Sequence, residues 1–568
     1  MSAPQRTPVA VVGGGPAGLM LALLLDHHGV PSVVFDHGES GQRRPDGSTP
    51  GARTMEHLRR LGLAGPVRRL GLPGEHPGDL ACFTRFGGRE LSRLALPTAT
   101  ERLRRVAAAP RTDQLPEPPH HADRMYLAGF LREHAGTRPN ITLRPGWRVT
   151  DLRQDARQVL VRAEHPDHPG EDWTARYAVG SDSGRDFVRD ALGVRDEATG
   201  PRRPAAARLG DRRATAAHLR LPTFHRDRLG GPRAWSYWAL DEDPAVNLIA
   251  LNGEDEFLLL AAPARGGHPG HPADPGALLR RAAGADLPVE VLGDHRWTPG
   301  ATPVAQRFGK GRVFLTSDAD PAPADDGGLG MNTGIDDAAN LAWKLAAVLR
   351  GWGGPGLLAS YGGERRPIAL RNAAAARELG AGPGAVARPA ALEADTAEGR
   401  AARADLGALL RSHGERSLSS VGVQLGVRYD ASPIVAGDPQ AEPPGDSWGS
   451  YTPSSLPGGR APHLWLDDWH GQGSSLFDRL GPGYTLLRLG PEPPSGKPLQ
   501  AAAQARGLPL RVLDVEGEPA RELYQRDLVL IRPDQHVAWR GNQLPTDPGD
   551  LVARVSGAGQ RRSGAWAA

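Results

Sequence analysis

Asp318, Asp320, Asp325 and Asp326 crowd into one short stretch, and Gly327, Gly328, Gly330, Met331 and Asn332 follow them directly. Carboxylates at that density can accept hydrogen bonds from ligand hydroxyls. One held beside a reacting atom can also move a proton. The glycines that follow would expose backbone N–H groups, which suit an anion. A second group lies near the N-terminus. Gly13, Gly15 and Gly18 fit G-x-G-x-x-G, and Asp36 follows at about the 20-residue spacing of a dinucleotide fingerprint. The first two glycines permit a tight turn and close approach of a pyrophosphate. The third lets a helix pack on its strand, and the aspartate can take ribose hydroxyls.

The surrounding elements would position these residues. Val9 to Val12 reads as a strand, Leu19 to Leu25 as an apolar helix, and Ser32 to Phe35 as a second strand ended by Asp36. That is a βαβ unit. Before the aspartate cluster, Gly311 to Thr316 reads as a buried strand. After it, Ile335, Ala338, Ala342, Leu345 and Leu349 recur at helical spacing, with Thr333 expected as N-cap and Asp336 and Asp337 in an acidic first turn. A strand, a glycine-rich loop and a helix N-terminus present a positive dipole end to a ligand.

Further motifs are specific. They are Arg53 to Leu63 (RTMEHLRRLGL), Gly327 to Gly334 (GGLGMNTG), Ala338 to Leu345 (AANLAWKL) and Ser360 to Pro367 (SYGGERRP). With the fingerprint, they make the chain resemble the FAD-dependent aromatic hydroxylases, the single-component flavoprotein monooxygenases. The branch that tailors bacterial polyketides is the most similar. The resemblance runs nearly end to end. It implies an α/β architecture with a Rossmann-type FAD-binding domain over 1–200 and 295–375. An antiparallel-sheet substrate domain is expected over 201–294 with parts of 64–110, a helical segment and linker over 376–445, and a thioredoxin-like domain over 446–568. It also implies FAD contacts at Gly13, Gly15, Gly18, Asp36, Arg124, Asp182, Asp318, Gly328, Gly330, Met331 and Asn332, with NAD(P)H as reductant.

The departures from that family fall on flavin-facing positions. Where the family has Arg near the pyrophosphate, this chain has Asp46, which repels a polyanion; Arg124, in place of the usual Gln, can restore positive charge. The middle motif reads Asp182-Ser183 with Asp186, although Arg189 remains. The late motif reads Ser317-Asp318-Ala319-Asp320-Pro321, with Asp325 where the family has a proline beside the reactive part of the flavin. An unpaired carboxylate about 4 Å away would oppose negative charge there by roughly 4 kcal/mol at an effective dielectric near 20. In a non-redox enzyme on this scaffold, Asp325 is the candidate acid or base.

Bulk properties narrow the function classes. With 568 residues the chain is long enough for two or three domains, and 73 glycines and 53 prolines mean many turns. The net charge is +3 and no basic block is interleaved with aromatics, so no nucleic-acid partner is expected. Cys82 is the only cysteine, which excludes an internal disulfide and a cysteine-based metal site. No metal site is expected. No apolar run is long enough to span a membrane, and Val9 opens a strand without a preceding signal pattern, so a cytoplasmic protein is expected.

Met125 to Ala135 reads as a helix, Ile141 to Gln154 as strands, and Tyr177 to Gly180 as a strand leading into Asp182. Alternating stretches between Pro201 and Trp297, such as Ala234 to Trp238 and Glu256 to Leu260, read as an antiparallel sheet. In the resembling family this sheet covers the substrate, and Tyr237 is the candidate substrate contact. After Arg371 an Ala-rich helical stretch leads to a Pro/Gly linker, Ala436 to Gly445. The tail strands Tyr484 to Leu489, Leu508 to Leu513 and Leu528 to Pro533 follow. The tail holds no cysteine, so thiol redox is excluded. It is expected to fold as a separate unit with a structural role, or to form a homodimer.

Two functional classes follow, and a bystander. The first is FAD- and NAD(P)H-dependent hydroxylation of a polyketide-like aromatic. The second is a non-redox tailoring enzyme, such as a cyclase, with FAD structural or lost. The third is a non-catalytic partner protein.

Overall fold

The computed structural model describes residues 4–38, 44–181, 187–197, 214–229, 231–240, 244–262, 274–297, 304–317, 328–379, 382–438, 441–466 and 474–559. Asp182, Asp318, Asp320, Asp325 and Asp326 lie outside these residues.

The apolar run Val9 to Val12 is buried because it is paired on both edges and covered on both faces. Along this sheet the strands run Gly309–Lys310, Val313–Leu315, His168–Gly180, Gln5–Val12, Ser32–Asp36 and Ile141–Pro145. The central pairings are parallel. One face packs on the helices Pro16–His27, Arg124–Gly136 and Leu329–Leu349, through residues such as Leu21, Leu127 and Ile335. The antiparallel strands Arg148–Gln154 and Val159–His165 close the other face with Val149 and Val161. The strand Val313–Leu315 returns to this sheet from far along the chain, which makes the unit discontinuous.

A second sheet has the strand order Glu290–Trp297, Ala214–Arg220, Glu256–Ala261, Val246–Ala250, Ser236–Ala239, Leu80–Phe83 and Glu90–Leu94. All its pairings are antiparallel except that between Ser236–Ala239 and Leu80–Phe83. Side chains alternate between its faces. Tyr237, Leu248, Phe257 and Leu259 point into a core closed by Leu278, Leu279 and Ala282 of the Pro275–Ala283 helix. Ala216, Ile249, Leu258 and Leu260 instead meet Met125 and Tyr126 of the Arg124–Gly136 helix.

The tail sheet runs Leu510–Val515, Tyr484–Leu489, Leu528–Ile531, Val537–Gly541. Its first pairing is parallel and the other two are antiparallel, the thioredoxin-like order. This unit is not a detached bead. Trp343, Ala347 and Leu357 share one apolar cluster with Tyr484, Leu486, Leu528 and Val552.

Among the described residues no helix is long and apolar enough to cross a membrane, and no group of three His, Cys, Asp or Glu is placed to hold a metal. Cys82 is buried, and burial pushes its thiol up to about 12.

Candidate cofactor and substrate site

The glycine turn is built for close approach. Gly13 has φ +119, and its N–H donates to Phe35 O at 2.8 Å. A Cβ on Gly14 would lie 2.3 Å from Asp36 Oδ2, and one on Gly18 would lie 2.1 Å from Gly13 O. Gly15 is the N-cap of the Pro16–His27 helix, which has no side-chain cap and no acid in its first turn. Its first N–H groups and its dipole are thus left for a bound anion. Asp36 ends the second strand beside this turn. Its Oδ2 pairs with Arg132 Nη2 at 2.8 Å, and its Oδ1 accepts Gly38 N–H at 3.1 Å.

A second turn, residues 46–52, is held from several sides. Asp46 is buried, and its Oδ2 lies 3.1 Å from Arg124 Nη1. Asp123 Oδ2 accepts Gly47 N–H at 2.9 Å, while its Oδ1 caps the Arg124–Gly136 helix through Met125 N–H. Burial and the neighbouring Asp46 push Asp123 up to about 8. Gly328, at φ +74, sits against Ser48, where a Cβ would meet Ser48 Cα at 3.3 Å. Asn332 Oδ1 accepts Gly51 N–H and the Thr54 hydroxyl, and its Nδ2 donates to Thr49 O and Gly328 O.

The Leu329–Leu349 helix starts earlier than its periodicity suggests. Gly328 is the N-cap, and Thr333 lies inside the helix with its Oγ1 donating to Leu329 O at 2.7 Å. Because the helix starts at Leu329, Asp336 and Asp337 lie past its first turn, and both are engaged by Arg365. Met331 is buried in the core, and all of Asn332's amide capacity goes to the 49–54 turn and Gly328. Neither side chain is free for a ligand, which would meet backbone at this helix start.

Tyr237 does not reach the sheet face turned toward the Arg124–Gly136 helix. It is fully buried on the opposite face, ringed by Phe224 and Phe257, and its hydroxyl accepts Ala234 N–H at 2.6 Å. Strand alternation is the reason: its neighbours on either side point the other way. Trp235, just ahead of the strand Ser236–Ala239, borders both clusters and is stacked on His121 at 4.4 Å and 15°. Burial, then Arg102, holds His121 well below the ordinary imidazole range, so the stack is neutral. Nearby, Glu256 Oε2 accepts from Tyr126 Oη at 3.2 Å and lies 3.2 Å from His218 Nε2.

The FAD binding domain family matches residues 6–376, and the C-terminal family of the aromatic-ring hydroxylases matches residues 454–558. This chain belongs to the FAD-dependent aromatic-ring hydroxylases. The FAD-dependent monooxygenase apdD of Emericella nidulans is 30% identical, over 97% of this chain and 90% of its own. Aklavinone 12-hydroxylase RdmE of Streptomyces purpurascens is also 30% identical, over 97% of this chain and 98% of its own. The rebeccamycin biosynthetic enzyme RebC, solved with reduced flavin and with bound 7-carboxy-K252c, is similar with a TM-score of 0.85 at 34% identity. Both structures cover 98% of this chain and 100% of RebC. The uncapped helix N-terminus, the glycines without room for a side chain and the strand-end carboxylate fit the ADP half of FAD.

In this hydroxylase the remaining family motifs lock the tail domain in place. Glu56 of the RTMEHLRRLGL motif joins Arg53 at 2.6 Å and Arg460 at 2.5 Å. Lys344 and Glu364 meet at 2.6 Å, and Arg532 of the tail binds both Glu364 oxygens at 2.7 and 2.8 Å. All of these side chains are buried. Burial raises the Glu364 carboxyl, but Arg532 and Lys344 outweigh it and hold the group far below the usual carboxylate range. The His121–Trp235 pair and the Tyr126–Glu256–His218 group carry no mark in the sequence. No local spacing links their members.

Proposed function

We propose that this hydroxylase takes electrons from NAD(P)H and hydroxylates a polyketide-like polycyclic aromatic. The substrate would lie between the Arg124–Gly136 helix and the inward face of the seven-stranded sheet. The observation that carries this reading is the enclosed apolar face of Ile249, Leu258 and Leu260, with the flat Trp235–His121 stack beside it. A neutral aromatic pair can orient a flat ring without adding charge. The solved relatives support the substrate class. PieE was crystallised with FAD and substrate, and aklavinone-11 hydroxylase with FAD and aklavinone.

Gly13, Gly15 and Gly18 would receive the pyrophosphate and Asp36 the ribose, with Arg132 orienting the Asp36 carboxylate. Asp182, Asp318, Gly328 and Gly330 are assigned to FAD by resemblance. Asp325 replaces the family proline and would disfavour negative charge beside the ring. Bound FAD supplies the redox chemistry; the chain orients the substrate and excludes water.

An absorption spectrum of the purified protein tests this reading. Yellow protein that bleaches with NAD(P)H under nitrogen is expected. Yellow protein that does not bleach would favour the non-redox alternative. A colourless protein that FAD cannot reconstitute would overturn the proposal.

A further inference from the structure

Between the two family-matched regions lies the short helix Val421–Leu425, and Gln424 is its most connected side chain. Gln424 Oε1 accepts Ala52 N–H at 2.6 Å, and its Nε2 donates to Ser420 Oγ at 2.8 Å. The preceding N–H, of Gly51, is taken by Asn332 Oδ1 at 2.8 Å. Ala52 opens the Ala52–Arg60 helix, whose N-cap is Gly51 and whose first turn has no acid. That helix cannot cap itself. Its first N–H groups are satisfied by two side chains distant in sequence, one from the glycine-rich helix start and one from the linker.

The grip is close. A Cβ on Gly51 would lie 2.6 Å from Gln424 Oε1 and 3.3 Å from Asn332 Oδ1. Upstream of Gly51 is the turn that carries Asp46 and lies against Gly328, and Pro50 O accepts His120 N–H at 3.0 Å. On the side of the Arg124–Gly136 helix, that turn is anchored by Asp123 and Arg124, through Gly47 N–H and Ser48 O. Gln424 supplies an anchor from the far side. A small cavity is bordered by Thr54, Thr333 and Gln424.

We propose that Gln424 is a positioning residue for the cofactor. By capping the Ala52–Arg60 helix it fixes the 46–52 turn against the glycine-rich end of the Leu329–Leu349 helix. The linker thereby becomes part of the cofactor site. The inference rests on the reading of this site as the FAD site.

Gln424→Ala and Gln424→Glu separate positioning from general stability. Glutamate keeps an oxygen for Ala52 N–H, and its charge suits a helix N-terminus. Alanine removes the cap. In full-length protein titrated with FAD, Gln424→Ala is expected to weaken binding about fivefold, the factor matching the roughly 1 kcal/mol of a lost cap. It should also alter the visible circular dichroism of bound flavin. Gln424→Glu should restore both. Wild-type affinity and an unchanged flavin signal in Gln424→Ala, with only a lower melting temperature, would overturn the positioning role alone. Wild-type protein that never takes up FAD would overturn this inference together with the FAD reading beneath it.

Discussion

Arg124 Nη1 lies 3.1 Å from Asp46 Oδ2, so the two family departures at this turn answer one another. An acid at position 46 alone would oppose a bound polyanion. Paired with Arg124 it becomes a local dipole, and the same turn is pinned by Asp123 behind it. Arg124→Gln should leave Asp46 buried beside Asp123 without this cation. Breaking such a pair costs roughly 3 kcal/mol. The expected result is a lower melting temperature and weaker FAD uptake, with most of both regained in Asp46→Asn/Arg124→Gln. Thermal melting and FAD titration of the three proteins check this.

Gly18→Ala should abolish FAD retention. The added Cβ would fall 2.1 Å from Gly13 O, so the glycine turn and the helix start must separate. The protein should purify colourless, and far-UV circular dichroism should show the remaining helices intact. Stoichiometric FAD in this variant would count against the glycine turn as the cofactor cradle.

Acid should destabilise the fold through His57. Burial, then Arg53, lowers this imidazole from 6.5 to about 4. Its Nε2 donates to Asp336 Oδ1 at 2.9 Å, and its buried Nδ1 has no partner among the described residues. A second proton therefore finds no acceptor. Between pH 6.5 and about 4 the unfolded chain binds that proton and the folded chain does not. Stability is thus present above this window and lost as pH falls through it, by at most about 3 kcal/mol for this group. Melting temperatures should drop over that range, and less steeply in His57→Gln. Parallel profiles would exclude His57 as a contributor.

The tail should not behave as an independent domain. Glu364 accepts from Lys344, Arg532, Asn340 and Ser432 in a fully buried seam. Glu364→Gln leaves uncompensated positive charge there, at a cost of about 3 kcal/mol or more. Limited proteolysis should then cut faster between the tail and the FAD-binding unit. Residues 446–568 expressed alone expose Arg532, Asp534 and the apolar face around Tyr484, so aggregation or non-cooperative melting is expected. A soluble fragment with a sharp transition would refute this.

Tyr237→Phe should leave substrate preference unchanged. The hydroxyl's partner is Ala234 N–H, inside the core behind the sheet. Losing it costs about 1–3 kcal/mol of stability. Substrate titrations and melting curves of the variant report the two effects separately. A changed substrate affinity would return Tyr237 to the binding site.

The βαβ fingerprint and the strands of the tail were legible in the residues themselves, whereas the thioredoxin-like character of the tail followed from the family resemblance. Glycine spacing and the two- and three-to-four-residue periodicities are local, and each was read within one element or one turn. Which face a residue serves was decided only by tertiary structure. Tyr237 and Trp235 lie two apart, yet Tyr237 is sealed beneath the sheet while Trp235, just ahead of the strand Ser236–Ala239 and outside its alternation, borders both clusters and stacks on His121. Thr333 carries the right chemistry for an N-cap, but Gly328 takes that place because its positive φ fits the close contact with Ser48. Arg124 and Asp46, Gln424 and Ala52, and Glu364 and Arg532 are partners across long stretches of chain. Their pairing depends on how the layers dock and on each buried charge needing an opposite one. No spacing along a single strand or helix encodes that.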